Sequence, residues 1–302
     1  KDILDEVMAL FPSRYIHIGG DEVPKTSWKS CAVCQQNIKQ NKLKDEHELQ
    51  SYFIRQMDDY ITSKGRNLIG WDEILEGGLA DNAAVMSWRG EDGGIAAAKQ
   101  KHKVVMSPGS HCYFDHYQSK SNTEPLAIGG FSPIEKVYSY NPLPASLNEE
   151  EKKYIMGAQG NVWTEYMQVS SQVEYMAVPR ICALAEVLWT GAQKPGFDSF
   201  KNRLRTHFNT LDSYQILAAK TIYDVSAESR KMGNKIEVKL LSHFNQGKIH
   251  FTLDGNTPTA TSPVYTAAKP IVVEKNTTVK AQYFEKDKPL GTMLTSEHFI
   301  KE

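Results

Sequence analysis

The chain has few cysteines, almost no net charge and no long apolar run. Its 302 residues include four cysteines, too sparse and too irregularly spaced for a disulfide framework in a chain of this length. Lysine and arginine number 35 against 36 aspartates and glutamates, which argues against a nucleic-acid footprint or a polybasic membrane patch. No apolar stretch approaches the ~20 residues of a transmembrane helix. This composition suits a neutral substrate.

Two of the cysteines, Cys31 and Cys34, form a C-x-x-C pair. No second pair and no trailing histidine cluster follows at the spacing of a zinc site. We therefore expect neither a bound metal nor another cofactor. A local disulfide and two free thiols remain as alternatives for this pair.

Short β-rich apolar runs alternate with helical stretches up to about residue 190, which is typical of βα units around a parallel sheet. The predicted strands are 15–18, 67–70, 84–87, 103–106 and 154–158. The predicted helices are about 46–64, 92–101, 172–189 and 197–212. The segment 108–153 is rich in proline, serine, asparagine and tyrosine and has little periodicity, so we expect a functional loop there.

The number of βα units bears on the fold class, because five fall short of the eight in a closed (β/α)8 barrel. The chain opens on segment 1–7, which we interpret as the interior of an amphipathic helix, and it shows no signal-peptide pattern there. We therefore favour a partial (β/α)8 barrel without its first strands over a smaller doubly wound fold. Polar and aromatic residues follow the strands, where both folds place their sites.

The pattern changes after about residue 220 to short alternating strands with turn signals, which suits a small all-β sandwich. The predicted strands there are 236–240, 249–253, 271–273 and 279–283. Segment 254–258, Asp-Gly-Asn-Thr-Pro, is predicted to be a tight turn within a hairpin. We expect a barrel portion over 1–215 and a β domain without catalytic residues over 216–302.

The strongest local signal is segment 17–22, His-Ile-Gly-Gly-Asp-Glu. The two glycines let the chain turn sharply at a strand end and present Asp21 and Glu22 side by side. One carboxylate can stay ionised while crowding and burial raise the pKa of the other. The carboxyl group with the raised pKa can then donate a proton. An acidic first helical turn is an alternative for the pair, and a core histidine or a metal ligand is an alternative for His17.

Segment 17–22 resembles the His-x-Gly-Gly-Asp-Glu signature of family 20 glycoside hydrolases, the β-N-acetylhexosaminidases. Other segments resemble pocket segments of that family in the same order: 70–73 (Gly-Trp-Asp-Glu), 87–90 (Ser-Trp-Arg-Gly), 113–115 (Tyr-Phe-Asp) and 161–165 (Asn-Val-Trp-Thr-Glu). The resemblance implies a (β/α)8 barrel whose Asp-Glu pair follows the fourth strand. The chain then corresponds to about strands four to eight, followed by the C-terminal domain of bacterial chitobiase-like members.

The resemblance also implies a mechanism in which the substrate's 2-acetamido group replaces the enzyme nucleophile. Glu22 is then the general acid and base, Asp21 stabilises positive charge on the acetamido nitrogen, and Tyr113 holds the acetamido carbonyl oxygen. The residues implied to bind the sugar are Trp71, Trp88, Trp163, Asp115 and Glu165, with His17 supporting the site from behind.

The implied activity is exo-hydrolysis of terminal N-acetylglucosamine or N-acetylgalactosamine from glycans, with neither nucleic acid nor a membrane as partner. A periplasmic or cell-surface location is implied by the bacterial members. A carbohydrate-binding protein without chemistry, a metal-dependent hydrolase and an inactive truncated fragment are the alternatives. An open half-barrel exposes sheet edges, which favours pairing with a second copy as a homodimer.

Overall fold

The computed structural model describes residues 1–300, and at position 192 the backbone alone. Residues 301 and 302, the last two of the predicted β domain, lie outside the described residues. The helices are Asp2–Leu10 (α1), Thr26–Ser30 (α2), Ala32–Gln40 (α3), Glu46–Ser63 (α4), Asp92–Lys99 (α5), Gly109–Cys112 (α6), Ile134–Ser139 (α7), Glu149–Lys152 (α8), Ser170–Ala177 (α9), Arg180–Thr190 (α10) and Phe197–Ser213 (α11). The strands are Tyr15–His17 (β1), Asn67–Trp71 (β2), Ala84–Ser87 (β3), Val104–Met106 (β4), Ile155–Ala158 (β5), Ser226–Met232 (β6), Lys235–Leu241 (β7), Lys248–Thr252 (β8), Ile271–Val273 (β9), Thr277–Glu285 (β10) and Lys288–His298 (β11).

Packing contacts divide the chain into two compact units. The first comprises Lys1–Tyr113, Ser139–Asn161 and Leu184–Lys194. The second comprises Phe114–Tyr138, Val162–Ala183 and the chain from Pro195 onward. The predicted boundary between residues 215 and 216 stays a prediction.

The first unit contains a five-stranded sheet in the order β1-β2-β3-β4-β5. Every neighbouring pair is parallel, and the strands follow one another in chain order. All four residues of β3 are buried, as expected for a central strand of a parallel sheet that is covered on both faces. The five predicted strands are therefore confirmed, and the carboxyl ends of β1 to β5 lie along one edge of the sheet.

Helix α4 packs along this sheet and was predicted to within one residue at its C-terminus. The Asp45 side chain caps it by accepting hydrogen bonds from the backbone N–H groups of His47 and Glu48, both at 3.0 Å. Ile54 and Ile61 on its inner face are buried. The amphipathic spacing and the N-cap residue together determine where the helix lies.

Two predictions of secondary structure were wrong in part. The single helix expected at 172–189 is two helices, α9 and α10, separated at Val178 and Pro179 because proline lacks an N–H and disfavours a helical conformation at the preceding residue. The loop expected over 108–153 contains the short helices α6, α7 and α8. Such short helices carry too little periodicity to be recognised in a sequence.

The second unit contains two antiparallel three-stranded sheets, β6-β7-β9 and β11-β10-β8. The four predicted strands are confirmed, while β6 and β11 were not predicted. The turn predicted at 254–258 lies in an excursion that begins after β8. The chain then returns antiparallel to β8, with Phe251 N donating to Pro263 O at 3.0 Å and Tyr265 N to Ile249 O at 2.8 Å. Within residues 1–300, no helix combines the length and the apolar character needed to cross a membrane.

Candidate active site

The turn after β1 is built from two glycines in left-handed conformations, Gly19 with φ 74° and Gly20 with φ 95°. Gly19 O accepts a hydrogen bond from Trp71 N at 2.9 Å, which joins the turn to the end of β2. A Cβ atom on Gly20 would lie 2.5 Å from Ile74 Cγ2. Glycine is therefore required by both backbone conformation and packing.

Glu22 follows in a left-handed conformation as well, with φ 49°. This conformation is uncommon for a residue with a side chain. The Glu22 side chain is exposed and that of Asp21 is half-buried. The two acidic residues thus follow the carboxyl end of β1, with different degrees of solvent contact.

Helix α4 holds this turn through a buried glutamine. Gln50 Nε2 donates to Gly20 O at 2.8 Å, and Gln50 Oε1 accepts a hydrogen bond from Lys25 Nζ. Lys25 also lies 3.8 Å from the carboxylate of Glu76. The carbonyl immediately before Asp21 is therefore fixed by side chains from two further segments.

His17 lies beside the turn at the end of β1. Its Nδ1 accepts a hydrogen bond from Gly19 N at 3.1 Å, so Nε2 carries the proton in the neutral ring. Desolvation of the ring lowers the pKa of His17, and the nearby Asp21 carboxylate opposes that shift.

Four aromatic rings follow successive strands of the sheet and contact one another in a row. The His17 and Trp71 ring centroids are 4.9 Å apart, and those of Trp71 and Trp88 are 6.4 Å apart, both edge to face. Trp88 stacks on Tyr113 with centroids at 6.3 Å. We call His17, Trp71, Trp88 and Tyr113 the aromatic row. The structure thus brings together four of the predicted site residues.

Two carboxylates that were not predicted as site residues hold Trp88. Trp88 Nε1 donates to Glu73 Oε2 at 2.9 Å, and the Trp88 backbone N–H donates to Asp72 Oδ2 at 3.1 Å. Arg89 Nε in turn donates to Asp72 Oδ1 at 2.6 Å. Burial raises the pKa of Glu73, and the bond from Trp88 works against that rise. Their only signal in the sequence was their position directly after Trp71 in segment 70–73.

The remaining predicted residues, Asp115, Trp163 and Glu165, lie in the second unit and line one small cavity there. Asp115 is buried, and its Oδ1 has no hydrogen-bond partner within the described residues. Burial raises the pKa of Asp115, the Glu165 carboxylate adds to the rise, and the Arg180 guanidinium opposes it. An acceptor oxygen without a donor can receive a hydrogen bond from a ligand hydroxyl.

Arg180, at the start of α10, positions Asp115 and was not predicted. Its guanidinium is fully buried and donates to the carbonyl oxygens on both sides of Asp115, at Phe114 and at His116, the latter at 3.0 Å. It also donates to Ser132 O at 3.0 Å. Burial lowers the pKa of Arg180 to about 10, so it stays charged at neutral pH. A lone arginine within a predicted helix gave no sign of this role.

Metal ligation requires several suitable side chains in one place. Among the side chains that the structure describes, no group of three or more histidine, cysteine, aspartate or glutamate residues is placed to hold a metal ion. Asp72 and Glu73 are instead paired with indole, guanidinium and backbone donors.

Two family models match the chain. The first, Glycosyl hydrolase family 20, catalytic domain, matches residues 1–192, and the second, Chitobiase/beta-hexosaminidase C-terminal domain, matches residues 228–295. A beta-hexosaminidase of Porphyromonas gingivalis is 47% identical over 277 residues, which cover 88% of this chain and 35% of the relative. A beta-hexosaminidase of Vibrio furnissii is 34% identical over 186 residues, which cover 61% of this chain and 30% of the relative.

Solved structures give the same assignment. A family 20 exo-β-N-acetylglucosaminidase of Vibrio harveyi in complex with N-acetylglucosamine superimposes with a TM-score of 0.65 at 33% identity, over 72% of this chain and 35% of that one. The chain thus spans about a third of the length of these relatives. The predicted family resemblance and fold class, a partial α/β barrel followed by a β domain, are confirmed. The chain belongs to glycosyl hydrolase family 20.

Proposed function

We propose that the protein is an exo-acting β-N-acetylhexosaminidase that removes terminal N-acetylglucosamine or N-acetylgalactosamine with retention of configuration. The observation that carries the proposal is the Asp21–Glu22 pair on a tightly held turn at the sheet edge that also carries the aromatic row. Relatives named beta-hexosaminidase, and a solved relative in complex with N-acetylglucosamine, support the same substrate class.

Glu22 would act as general acid and then as general base. Its carboxyl group donates a proton to the glycosidic oxygen while the acetamido carbonyl oxygen of the substrate attacks the anomeric carbon. The glycosidic bond breaks and a cyclic oxazolinium-type intermediate forms. Glu22 then removes a proton from the water that opens this ring. The exposed position of Glu22 suits a group that must contact both leaving group and water.

Asp21 would stabilise the charge that this reaction creates. Positive charge grows on the acetamido nitrogen as the ring closes, and an ionised carboxylate that accepts its N–H offsets that charge. Gln50 fixes the carbonyl before Asp21, which limits the movement of the carboxylate. Such preorganisation lowers the barrier because little rearrangement is needed in the transition state.

Tyr113 and the indoles would hold the acetamido group in line. The Tyr113 hydroxyl can donate to the carbonyl oxygen, and its ring is supported by stacking on Trp88. Trp71 and Trp88 present apolar surface to the methyl group and exclude water, which strengthens nearby electrostatic interactions. The carboxylates of Asp115 and Glu165 can accept hydrogen bonds from sugar hydroxyls, with the Trp163 indole beside them.

The experiment compares a nitrophenyl N-acetyl-β-glucosaminide with its N-trifluoroacetyl analogue. Fluorine withdraws electron density from the carbonyl oxygen that acts as nucleophile. We expect turnover of the analogue to fall by about tenfold or more, equivalent to about 1.4 kcal/mol in the barrier. Equal turnover of both substrates would contradict substrate assistance.

The assay should be run on residues 1–302 alone and on the longest natural chain that contains them. Turnover by the longer protein together with binding but no turnover by residues 1–302 would identify this piece as an inactive fragment. Binding without turnover by both would favour the alternative of a carbohydrate-binding protein. Loss of turnover on chelation would favour a metal-dependent hydrolase.

Location and assembly are further parts of the proposal. We propose an exported protein, in the periplasm or at the cell surface, which cell fractionation tests. We also propose that two copies pair as a homodimer. Within residues 1–300, β1 pairs only with β2, and the free edge of this strand can pair with a second chain. Sedimentation of residues 1–302 should show a dimer at micromolar concentration, and a monomer there would exclude this assembly.

A further inference from the structure

Cys31 and Cys34 lie together at the start of α3, outside the candidate active site. Cys31 is the N-cap residue of this nine-residue helix, and its Sγ accepts the backbone N–H of Cys34 at 3.3 Å. The neighbouring Cys34 thiol also lowers the pKa of Cys31. Both cysteines are half-buried and are not bonded to each other. The backbone N–H of Cys34 therefore contacts the Cys31 sulfur in the reduced protein.

The two thiols have opposite electrostatic surroundings. The Cys34 thiol and backbone N–H lower the pKa of Cys31, whereas donation to Cys31 raises the pKa of Cys34. The start of a helix also favours negative charge on Cys31. Because the thiolate is the nucleophile, Cys31 is suited to attack and Cys34 to act second.

The other two cysteines, Cys112 and Cys182, differ from Cys31 in their surroundings and in the direction of their pKa shifts. Cys112 is fully buried, and burial raises its pKa to about 12. Burial also raises the pKa of Cys182 on α10. Neither has a thiol donor within the described hydrogen bonds. The chain therefore contains one activated pair and two internal controls.

The pair lies at a junction that the surrounding contacts hold in place. Cys31 N donates to Trp28 O at 3.3 Å, which links α3 to the end of α2. Gln35 Nε2 donates to Trp28 O at 3.0 Å and to Glu46 Oε1 at 2.9 Å, at the start of α4. The backbone that carries the thiols is thereby fixed on both sides.

We propose that Cys31 and Cys34 form a thiol–disulfide exchange site that reacts reversibly with low-molecular-weight disulfides of the glutathione class. The Cys31 thiolate attacks one sulfur of the small disulfide, forms a mixed disulfide and releases one small thiolate. Cys34 then loses its proton and attacks Cys31 Sγ, which forms the internal disulfide and expels the second small thiolate. The two released thiolates take up the two protons lost by the protein. The protein is oxidised by two electrons and the small disulfide is reduced to two thiols.

The first experiment incubates residues 1–302 with oxidised glutathione at pH 7 and maps the products by mass spectrometry. Trypsin should release segment 30–39, which contains both cysteines, between Lys29 and Lys39. We expect this peptide to become lighter by two hydrogen atoms, and to regain them with excess reduced glutathione. Peptides that contain Cys112 and Cys182 should stay unmodified. A segment 30–39 that remains reduced would overturn the proposal.

The second experiment separates the roles of the two thiols. With Cys34→Ser the exchange should stop at a mixed glutathione disulfide on Cys31, because the second thiol is absent and serine retains a hydrogen-bond donor. With Cys31→Ser the remaining Cys34 should react more slowly at pH 7, because it lies further from the start of α3 and lacks the backbone N–H donor that Cys31 Sγ has. Equal rates of mixed-disulfide formation in the two variants would contradict the assignment. Circular dichroism of both variants checks that the fold is kept.

Discussion

The indole N–H of Trp88 donates to the buried carboxylate of Glu73 at 2.9 Å. This contact joins the end of β3 to the segment that follows β2, and it fixes the third ring of the aromatic row. Trp88 contacts Trp71 on one side and Tyr113 on the other. The orientation of the proposed acetamido pocket therefore depends on a carboxylate that is not proposed to touch the substrate.

Glu73→Ala should lower the free energy of unfolding by about 1–2 kcal/mol, because the half-buried indole N–H of Trp88 loses its partner. Glu76→Ala is the matched control, since Glu76 is half-buried in the same charged cluster and accepts from Arg89 at 3.2 Å rather than from Trp88. It should cost below about 1 kcal/mol. Urea unfolding of both variants measures the difference. Equal losses would show that the Trp88 contact contributes nothing specific.

Gly20→Ala should destabilise the protein more than Gly65→Ala. Both glycines have left-handed backbones, with φ 95° and φ 73°. A Cβ on Gly65 meets nothing within 4 Å, whereas on Gly20 it clashes with Ile74. We expect about 1 kcal/mol for Gly65→Ala from backbone strain alone and at least about 1–3 kcal/mol more for Gly20→Ala. Thermal unfolding of the two variants gives the comparison. Similar decreases in Tm would show that the turn accommodates the added methyl group without a clash.

Arg180→Lys should cost about 3 kcal/mol or more in the free energy of unfolding. Lysine cannot reproduce the fork that bonds the carbonyls of Phe114, His116 and Ser132, and these buried acceptors lose their donors. Arg230→Lys on the exposed face of β6 is the control and should change stability by less than about 0.5 kcal/mol. If the Arg180→Lys variant is as stable as this control, the hydrogen bonds of Arg180 to the carbonyls around Asp115 do not stabilise the fold.

Asp115 should make stability depend on pH in a defined direction. Because burial raises the pKa of Asp115 in the folded state, the folded protein holds this proton more tightly than the unfolded chain. The resulting stabilisation is complete below the unfolded pKa of about 3.9 and is lost as pH rises through the folded pKa. Asp115→Asn should therefore gain stability relative to the native protein between acidic and neutral pH.

Unfolding at pH 4 and pH 7 tests this sign. Asp198→Asn is the opposite control, because a hydrogen bond from Lys201 lowers the pKa of Asp198 and its carboxylate stabilises the fold at neutral pH. That variant should lose a little stability at pH 7. If Asp115→Asn behaves like Asp198→Asn, the Asp115 carboxylate is compensated within the fold and is not held for a ligand.

The sequence predicted those parts of the structure that depend on local pattern. The strands β1 to β5 are recognisable because short apolar runs end in turn residues, and α4 because its apolar residues recur at helical spacing. The break at Pro179 was predictable in principle from the missing N–H, but the apolar spacing on both sides favoured one helix. The residues missed were Asp72, Glu73 and Arg180. Their importance comes from partners distant in sequence, Trp88 and the carbonyls around Asp115, which no local pattern encodes.

The most direct test of the central claim varies the leaving group in the longest natural chain that contains this sequence. Glu22→Gln should reduce kcat by about 10²–10⁴-fold on an N-acetylglucosaminide with a sugar leaving group, which requires protonation. The loss should be far smaller on a dinitrophenyl glycoside, whose leaving group departs without a proton. Asp21→Asn should impair both substrates alike, because it acts on the acetamido group. Equal losses for Glu22→Gln on the two substrates would contradict its role as the general acid.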